Sequence, residues 1–147
     1  MDEIECVGHK GPIYSVSISY DSELLISASH DTTIRLWAIP IKKKTGRISS
    51  LVVYKGHIRP IWVVQFCPFG YFFASGSADT TANLWATSSA TPIRLFRGHF
   101  SDVEAITFHP NIHYVATGSN DNTIRMWEVE RGDCVRIFCR VFILIYL

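Results

Sequence analysis

Cysteine is scarce and poorly spaced: Cys6, Cys67, Cys134 and Cys139 contain no CxxC pair, and Cys134 and Cys139 lie five apart with no partner ligands nearby. That spacing excludes a zinc framework and leaves reduced, structural thiols of a cytosolic or nuclear protein as the expectation. No GxGxxG or GxxxxGK[ST] occurs, so the chain carries no backbone cradle for a dinucleotide or a nucleoside triphosphate. Charge is low, with 18% Asp, Glu, Lys and Arg and a formal net charge of +1. Such a balance exerts no general pull on nucleic acid or anionic membranes. The N-terminal MDEIECVGHK is acidic and has no apolar centre, so no secretory signal is expected. Val141–Leu147 is wholly apolar but only seven residues long, against roughly 17–25 for a bilayer span. No membrane segment is expected. His30, His109 and His113 do not recur at ligating intervals, and neither a metal nor another cofactor nor a small-molecule substrate is expected.

Repetition is what the sequence has in abundance. Gly-His stands at Gly8-His9, Gly56-His57 and Gly98-His99, each followed 22 residues after the His by Asp31, Asp79 or Asp121 and 28 residues after it by Trp37, Trp85 or Trp127. Two fixed offsets held in three places are not coincidence. The His-to-His intervals are 48 and 42 residues, close to the roughly 40–45 of a repeat signed by Gly-His and Trp-Asp.

Each unit breaks into the same short segments. Alternating apolar positions, Val16/Ile18, Val64/Phe66 and Ile106/Phe108, predict first strands over Ile13–Ser19, Ile61–Cys67 and Val103–Phe108. Turn-forming Asp21-Ser22, Pro68-Phe69-Gly70 and Pro110-Asn111 follow. Second strands are expected over Leu24–Ser29, Phe72–Ser77 and Tyr114–Ser119, and third strands over Thr33–Trp37, Thr81–Trp85 and Thr123–Trp127. VVYK, IRLFR and VRIFC supply the fourth. Four short strands per unit without helical periodicity predict an all-β chain. The first linker is six residues longer than the second, and its Lys42-Lys43-Lys44 is expected at a solvated hairpin tip. The aromatics crowding the second unit, Trp62, Phe66, Phe69, Tyr71, Phe72 and Phe73, are expected in the core, because no basic groove accompanies them.

A hydroxyl (Ser27, Ser75, Thr117), a His and an Asp in each unit are also the vocabulary of a hydrolytic triad. A catalytic constellation is needed once, whereas this set recurs at matched offsets in every unit. Recurrence favours structure over catalysis, and no enzymatic activity is expected.

These units resemble WD40 repeats, at about 8–54, 55–97 and 98–138, with 139–147 as a non-repeat apolar tail. The resemblance implies one β-propeller blade per unit and an open, partial propeller of about three four-stranded blades. It also implies buried tetrads: His9, Ser27, Asp31 and Trp37; His57, Ser75, Asp79 and Trp85; His99, Thr117, Asp121 and Trp127. Asp would hold His, His would hold the hydroxyl, and the hydroxyl would meet the indole N–H. No Asp follows any of the three Trp residues (Ala38, Ala86, Glu128), which the tetrad does not require. The resemblance further implies that the turns after Gly-His and before Asp share one rim, placing Lys10, His30, Arg59, Phe100 and Asn120 on a candidate partner surface.

Words outside the tetrad narrow the likeness. YKGHIRPIW at 54–62, CPFGYFFASGS at 67–77, the stretch from Leu84 to His99 and GDCVRIF at 132–138 resemble the WD-repeat subunit 5 family of TFIID and its paralogue in SAGA-type histone acetyltransferase complexes. That family carries a helical assembly domain and further repeats, neither of which occurs in this sequence. The resemblance implies a nuclear, non-catalytic scaffold that supports RNA polymerase II initiation by packing against histone-fold subunits, without direct nucleic-acid or membrane contact. The alternatives are a generic peptide-binding adaptor, such as a ubiquitin-ligase substrate receptor, and a truncated product without a separate role. Three units cannot cover their own outer faces, so Val16, Ile18, Ile34 and Leu36, or Ile106, Phe108, Ile124 and Met126, are each expected to form one open apolar face.

Overall fold

The structure, a computed structural model, describes residues 3–40 and 45–139. Lys42-Lys43-Lys44 and Val141–Leu147 lie outside the described residues. Among those described there is no helix; fourteen strands build the chain. A short β1 (Ile4–Val7) precedes blade 1, which consists of β2 (Ile13–Ile18), β3 (Leu24–Ser29), β4 (Thr33–Ala38) and β6 (Val52–Lys55). Blade 2 is β7 (Ile61–Phe66), β8 (Phe72–Ser77), β9 (Ala82–Ala86) and β10 (Arg94–Phe96). Blade 3 is β11 (Val103–Phe108), β12 (Tyr114–Ser119), β13 (Ile124–Glu128) and β14 (Cys134–Phe138). Each blade is an antiparallel four-stranded sheet whose strands neighbour in chain order. No sheet closes on itself, so the architecture is an open, partial propeller.

One strand pair has no counterpart in the repeat. β5 (Gly46–Ser49) pairs in parallel with β1, with Ile4 opposite Gly46 and Val7 opposite Ser49. An Arg47–Glu5 ion pair at 2.6 Å spans this two-stranded sheet on its exposed side.

Register decides which residues share a face, because residues directly opposite one another point the same way. In blade 1, Ser17 faces Ile26 and Ile26 faces Leu36, while Val16 faces Ser27 and Ser27 faces Arg35. Two different faces result, and the expectation that Val16, Ile18, Ile34 and Leu36 lie together is overturned. Ile34 and Leu36 are 0% and 3% exposed, packed with Ile26, Ala28 and Tyr54 against Val64, Phe66 and Phe73 of blade 2. Val16 and Ile18, on the reverse side, are 60% and 57% exposed. Blade 3 corrects likewise: Ile106 and Phe108 pack on blade 2, whereas Ile124 and Met126 occupy the outer face. The physical cause is the register set at the hairpin turn, which puts Val16 opposite Ser27 and Ile106 opposite Thr117, one residue out of phase with the Ile26–Leu36 and Ala116–Met126 pairs.

The two interfaces between blades hold the core. Each fully buried Ile, Leu or Phe contributes roughly 1.5–3 kcal/mol by leaving water. Hydrogen bonds stitch the inner strands as well: Ser17 Oγ accepts the Phe66 N–H at 3.0 Å, and Ser15 Oγ accepts the Val64 N–H at 3.2 Å. At Gly76 a Cβ would stand 2.8 Å from both Cγ1 and the carbonyl oxygen of Val103, so glycine is what lets blades 2 and 3 approach. The aromatic cluster divides. Phe66 and Phe73 are core, but Phe69, Tyr71 and Phe72 are 61%, 50% and 43% exposed, because the turn at Gly70 and the outward phase of Phe72 carry them off the packed face. Of the four free cysteines only Cys67 is buried.

Candidate protein-interaction site

Three hydrogen-bonded chains occupy matching places, one per blade. In blade 2, the His57 Nδ1 lies 2.7 Å from Asp79 Oδ2, its Nε2 2.8 Å from Ser75 Oγ, and the Trp85 indole N–H donates to Ser75 Oγ at 2.8 Å. Blade 1 repeats this with His9, Asp31, Ser27 and Trp37 at 2.8–2.9 Å. In blade 3, His99, Asp121, Thr117 and Trp127 stand 2.7–2.8 Å apart. Proton positions follow from donor capacity. An indole can only donate, so the hydroxyl accepts from Trp and directs its own hydrogen to Nε2; neutral His then carries its proton on Nδ1 and donates to the carboxylate. Each hydroxyl is capped on both sides and at most 3% exposed.

Local chain geometry builds these networks. Asp31, Asp79 and Asp121 occupy tight turns whose next residue, Thr32, Thr80 or Asn122, has φ of 70°, 72° or 65°. The turn lets each carboxylate gather four donors. For Asp79 these are the His57 ring, the Ile58 N–H, the Thr81 N–H and the Thr81 hydroxyl. Burial opposes ionisation of Asp79, yet the His57 and Thr81 bonds and the nearby His57 outweigh it and bring the carboxyl down to about 2. Asp31 and Asp121 are likewise held below the usual carboxylate range, burial being overcome by hydroxyl, backbone and His donors. The preceding glycine has a steric role: a Cβ at Gly56 would sit 2.8 Å from Cη2 of Trp85.

Every tetrad ends at the surface. The residue after each His gives its N–H to the Asp, at 2.9 Å from Lys10, 3.2 Å from Ile58 and 3.0 Å from Phe100. Fixed by the backbone, these side chains project outward, and Ile58 and Phe100 are 83% and 86% exposed. The turn before the Asp lies against the same loop, through His30 N–H to Pro12 and Asn120 N–H to Asp102. Lys10, His30, Arg59, Phe100 and Asn120 are all exposed. Between Lys10, Arg35 and Lys55 a groove of about 570 Å³ opens beside Asp31 and His57.

The sequence model described as "WD domain, G-beta repeat" matches residues 3–38, 48–86 and 90–128. The chain belongs to the WD40 family. Over 93 residues it is 42% identical to the transcription initiation factor TFIID subunit 5 of Caenorhabditis elegans, covering 63% of this chain and 13% of that protein. It is 41% identical over 62 residues to the TFIID subunit 5 of Encephalitozoon cuniculi, covering 42% of this chain and 10% of that protein. A guanine nucleotide-binding protein subunit beta of Zea mays is 39% identical over 71 residues, covering 48% of this chain and 17% of that protein. The chain thus spans between a tenth and a fifth of the length of these relatives.

On this WD40 frame the rim holds a row that the repeat signature does not mark. The rings of Tyr14 and His30 are 6.1 Å apart and those of Tyr14 and Trp62 4.8 Å apart. The Trp62 indole donates to the Asp102 carboxylate at 2.8 Å, and the Asn120 amide donates to Glu104 at 2.7 Å. His30 and Asn120 enter this row; of the other expected rim residues, Phe100 instead lies under the Arg125 guanidinium at 5.9 Å. One signal was available: Tyr14, Trp62 and Glu104 all stand five residues after a tetrad His.

Proposed function

We propose that this chain is a non-catalytic protein-interaction platform of a general transcription complex of TFIID or SAGA type. On this reading it acts in the nucleus and supports RNA polymerase II initiation through contacts with histone-fold subunits. The observation that carries the proposal is the 42% identity to a TFIID subunit 5 over 93 residues. The non-catalytic reading is supported by the burial of the three hydroxyls, at most 3% exposed, and by the recurrence of the same set in every blade, since a nucleophile must be reachable by its substrate. The tetrads act as the fixed frame, with His9, His57 and His99 at its centre in repeats 8–54, 55–97 and 98–138. Lys10, His30, Arg59, Phe100 and Asn120 present the partner surface on that frame. Affinity capture from nuclear extract with mass spectrometry tests the proposal. Recovery of TFIID or SAGA subunits, lost on Arg59→Glu with the fold intact, is expected. Capture of cullin adaptors instead, or retention of those subunits by Arg59→Glu and Phe100→Ala alike, overturns it.

A further inference from the structure

Among the described residues, three buried side-chain polar atoms have no hydrogen-bond partner: Nε of Arg35, Oδ1 of Asn83 and Nε of Arg125. All three residues stand 26 positions after a tetrad His. The repeat thus fills this place with a polar group and does not satisfy it from within. The three occupants differ in what they find. Arg35 donates from Nη1 to Ser50 Oγ at 2.9 Å. Asn83 is 1% exposed and lines a crevice of about 260 Å³ with Ile58, Leu95 and Arg97. Arg125 has neither a hydrogen bond nor an ion pair among the described residues, and its guanidinium carbon lies 5.9 Å from the centre of the Phe100 ring.

Arg125 shares the face of Thr117 and Ile106, which packs on blade 2. It therefore lies at a seam whose two sides the chain itself supplies. The guanidinium rests against Gly98, where a Cβ would stand 2.6 Å from Nη1, and over Phe100, which is 86% exposed. These contacts hold a planar fork of donors in place at the surface. A buried N–H without an acceptor is costly, and an arginine without a counter-charge on an exposed aromatic ring has the make-up of an interface anchor. The neighbouring carboxylate is already engaged: Asp121 accepts from the His99 ring, the Phe100 N–H and both donors of Thr123.

We propose that Phe100 and Arg125 form a docking point for an acidic segment of a partner protein. A glutamate or aspartate carboxylate takes the guanidinium edge, and an adjacent apolar side chain covers the Phe100 ring. A carboxylate fits better than a phosphate. Phosphate carries nearly two charges and is gathered by clusters of arginines. Here one guanidinium is available, and the carboxylate of Asp121 stands at the Phe100 amide. Single-stranded nucleic acid needs a basic track beside its stacking rings, which one guanidinium does not make. The inference rests on the reading of this rim as a partner surface, but not on which complex supplies the partner.

Titration of the 147-residue chain with the capped peptide SELES, followed by NMR, tests it. The Phe100 amide and Arg125 Nε–H signals are expected to move at millimolar peptide, and the glutamine version SQLQS is expected to leave them in place. Blade 2 supplies the variants, since Asn83 and Ile58 hold the corresponding positions. Arg125→Asn is expected to weaken SELES binding about ten- to a hundredfold, the range of a hydrogen bond to a charged group. Phe100→Ile should weaken it less, and Arg125→Lys, which keeps the charge and loses the fork, should retain part of the affinity. Unmoved amide signals in blade 1 show that each variant still folds. No response to SELES, an equal response to SQLQS, or undiminished affinity of folded Arg125→Asn overturns the proposal. So does tighter binding at the same signals by oligothymidylate, or by the peptide with phosphoserine in place of glutamate. Binding of SELES without recovery of TFIID or SAGA subunits from extract upholds the docking point and overturns the transcriptional role alone.

Discussion

Replacing Asp79 by Asn removes one charge and almost no volume, and so isolates what the carboxylate does in the second tetrad. Asp79 Oδ2 accepts from the His57 ring at 2.7 Å and from the Ile58 N–H at 3.2 Å, while Oδ1 accepts from the backbone and hydroxyl of Thr81. An amide oriented to keep the Thr81 bonds presents its NH2 where Oδ2 stood, toward two donors. His57 can answer by moving its proton to Nε2, but Ser75 Oγ must then accept from both His57 and Trp85, and its own hydrogen loses a partner in a fully buried site. Bonds to charged groups contribute about 1.5–3 kcal/mol each, so with one bond recovered the expected loss is about 3 kcal/mol at neutral pH. Acid supplies the second half of the test. The folded carboxyl titrates at about 2, below the roughly 3.9 of an unfolded Asp. The unfolded chain therefore takes up the proton first, and the stability from ionised Asp79 is complete above pH 4 and fades toward pH 2. The full shift corresponds to about 2.6 kcal/mol, of which about half is lost by pH 3, so the gap between the unaltered chain and Asp79→Asn should narrow by about 1 kcal/mol between pH 7 and pH 3. Urea unfolding at fixed protein concentration, followed by tryptophan fluorescence at pH 7, 4 and 3, measures both quantities. Equal stabilities at pH 7, or a gap that stays constant into acid, would show that the carboxylate is not the anchor of the network.

Gly76→Ala should destabilise the chain by about 1–3 kcal/mol, because a Cβ 2.8 Å from Val103 overpacks the interface between blades 2 and 3; urea midpoints read the loss. Thr80→Asn should raise stability by about 1 kcal/mol, since a β-branched residue at φ 72° is strained where Asn122 of blade 3 already relieves the same turn. Thermal unfolding at fixed concentration checks the sign.

Recurrence made the blades legible and register did not. His, hydroxyl, Asp and Trp could be aligned because their chemistry is the same in all three units, and the second strands, Leu24–Ser29, Phe72–Ser77 and Tyr114–Ser119, lie where turn residues on either side place them. Which face an apolar residue joins is a different question, since Val16 and Ile34 alternate equally well along their own strands. Only the pairing of β2 with β3, which puts Val16 opposite Ser27 rather than Ile26, separates them. The β1–β5 pair was invisible for a related reason: a parallel pairing between segments far apart, without an equivalent in the other units, leaves no periodic trace. Tyr14, Trp62 and Glu104 share an offset but not a side-chain type, so matching residue types across units passes over them. That failure is informative. Positions held constant from unit to unit are accounted for by the frame, because every blade needs the same buried network. Exposed positions that share an offset yet differ in chemistry do nothing the frame requires, and the aromatic–acidic row through Tyr14, Trp62 and Asp102 gives the rim a character that no single blade has alone.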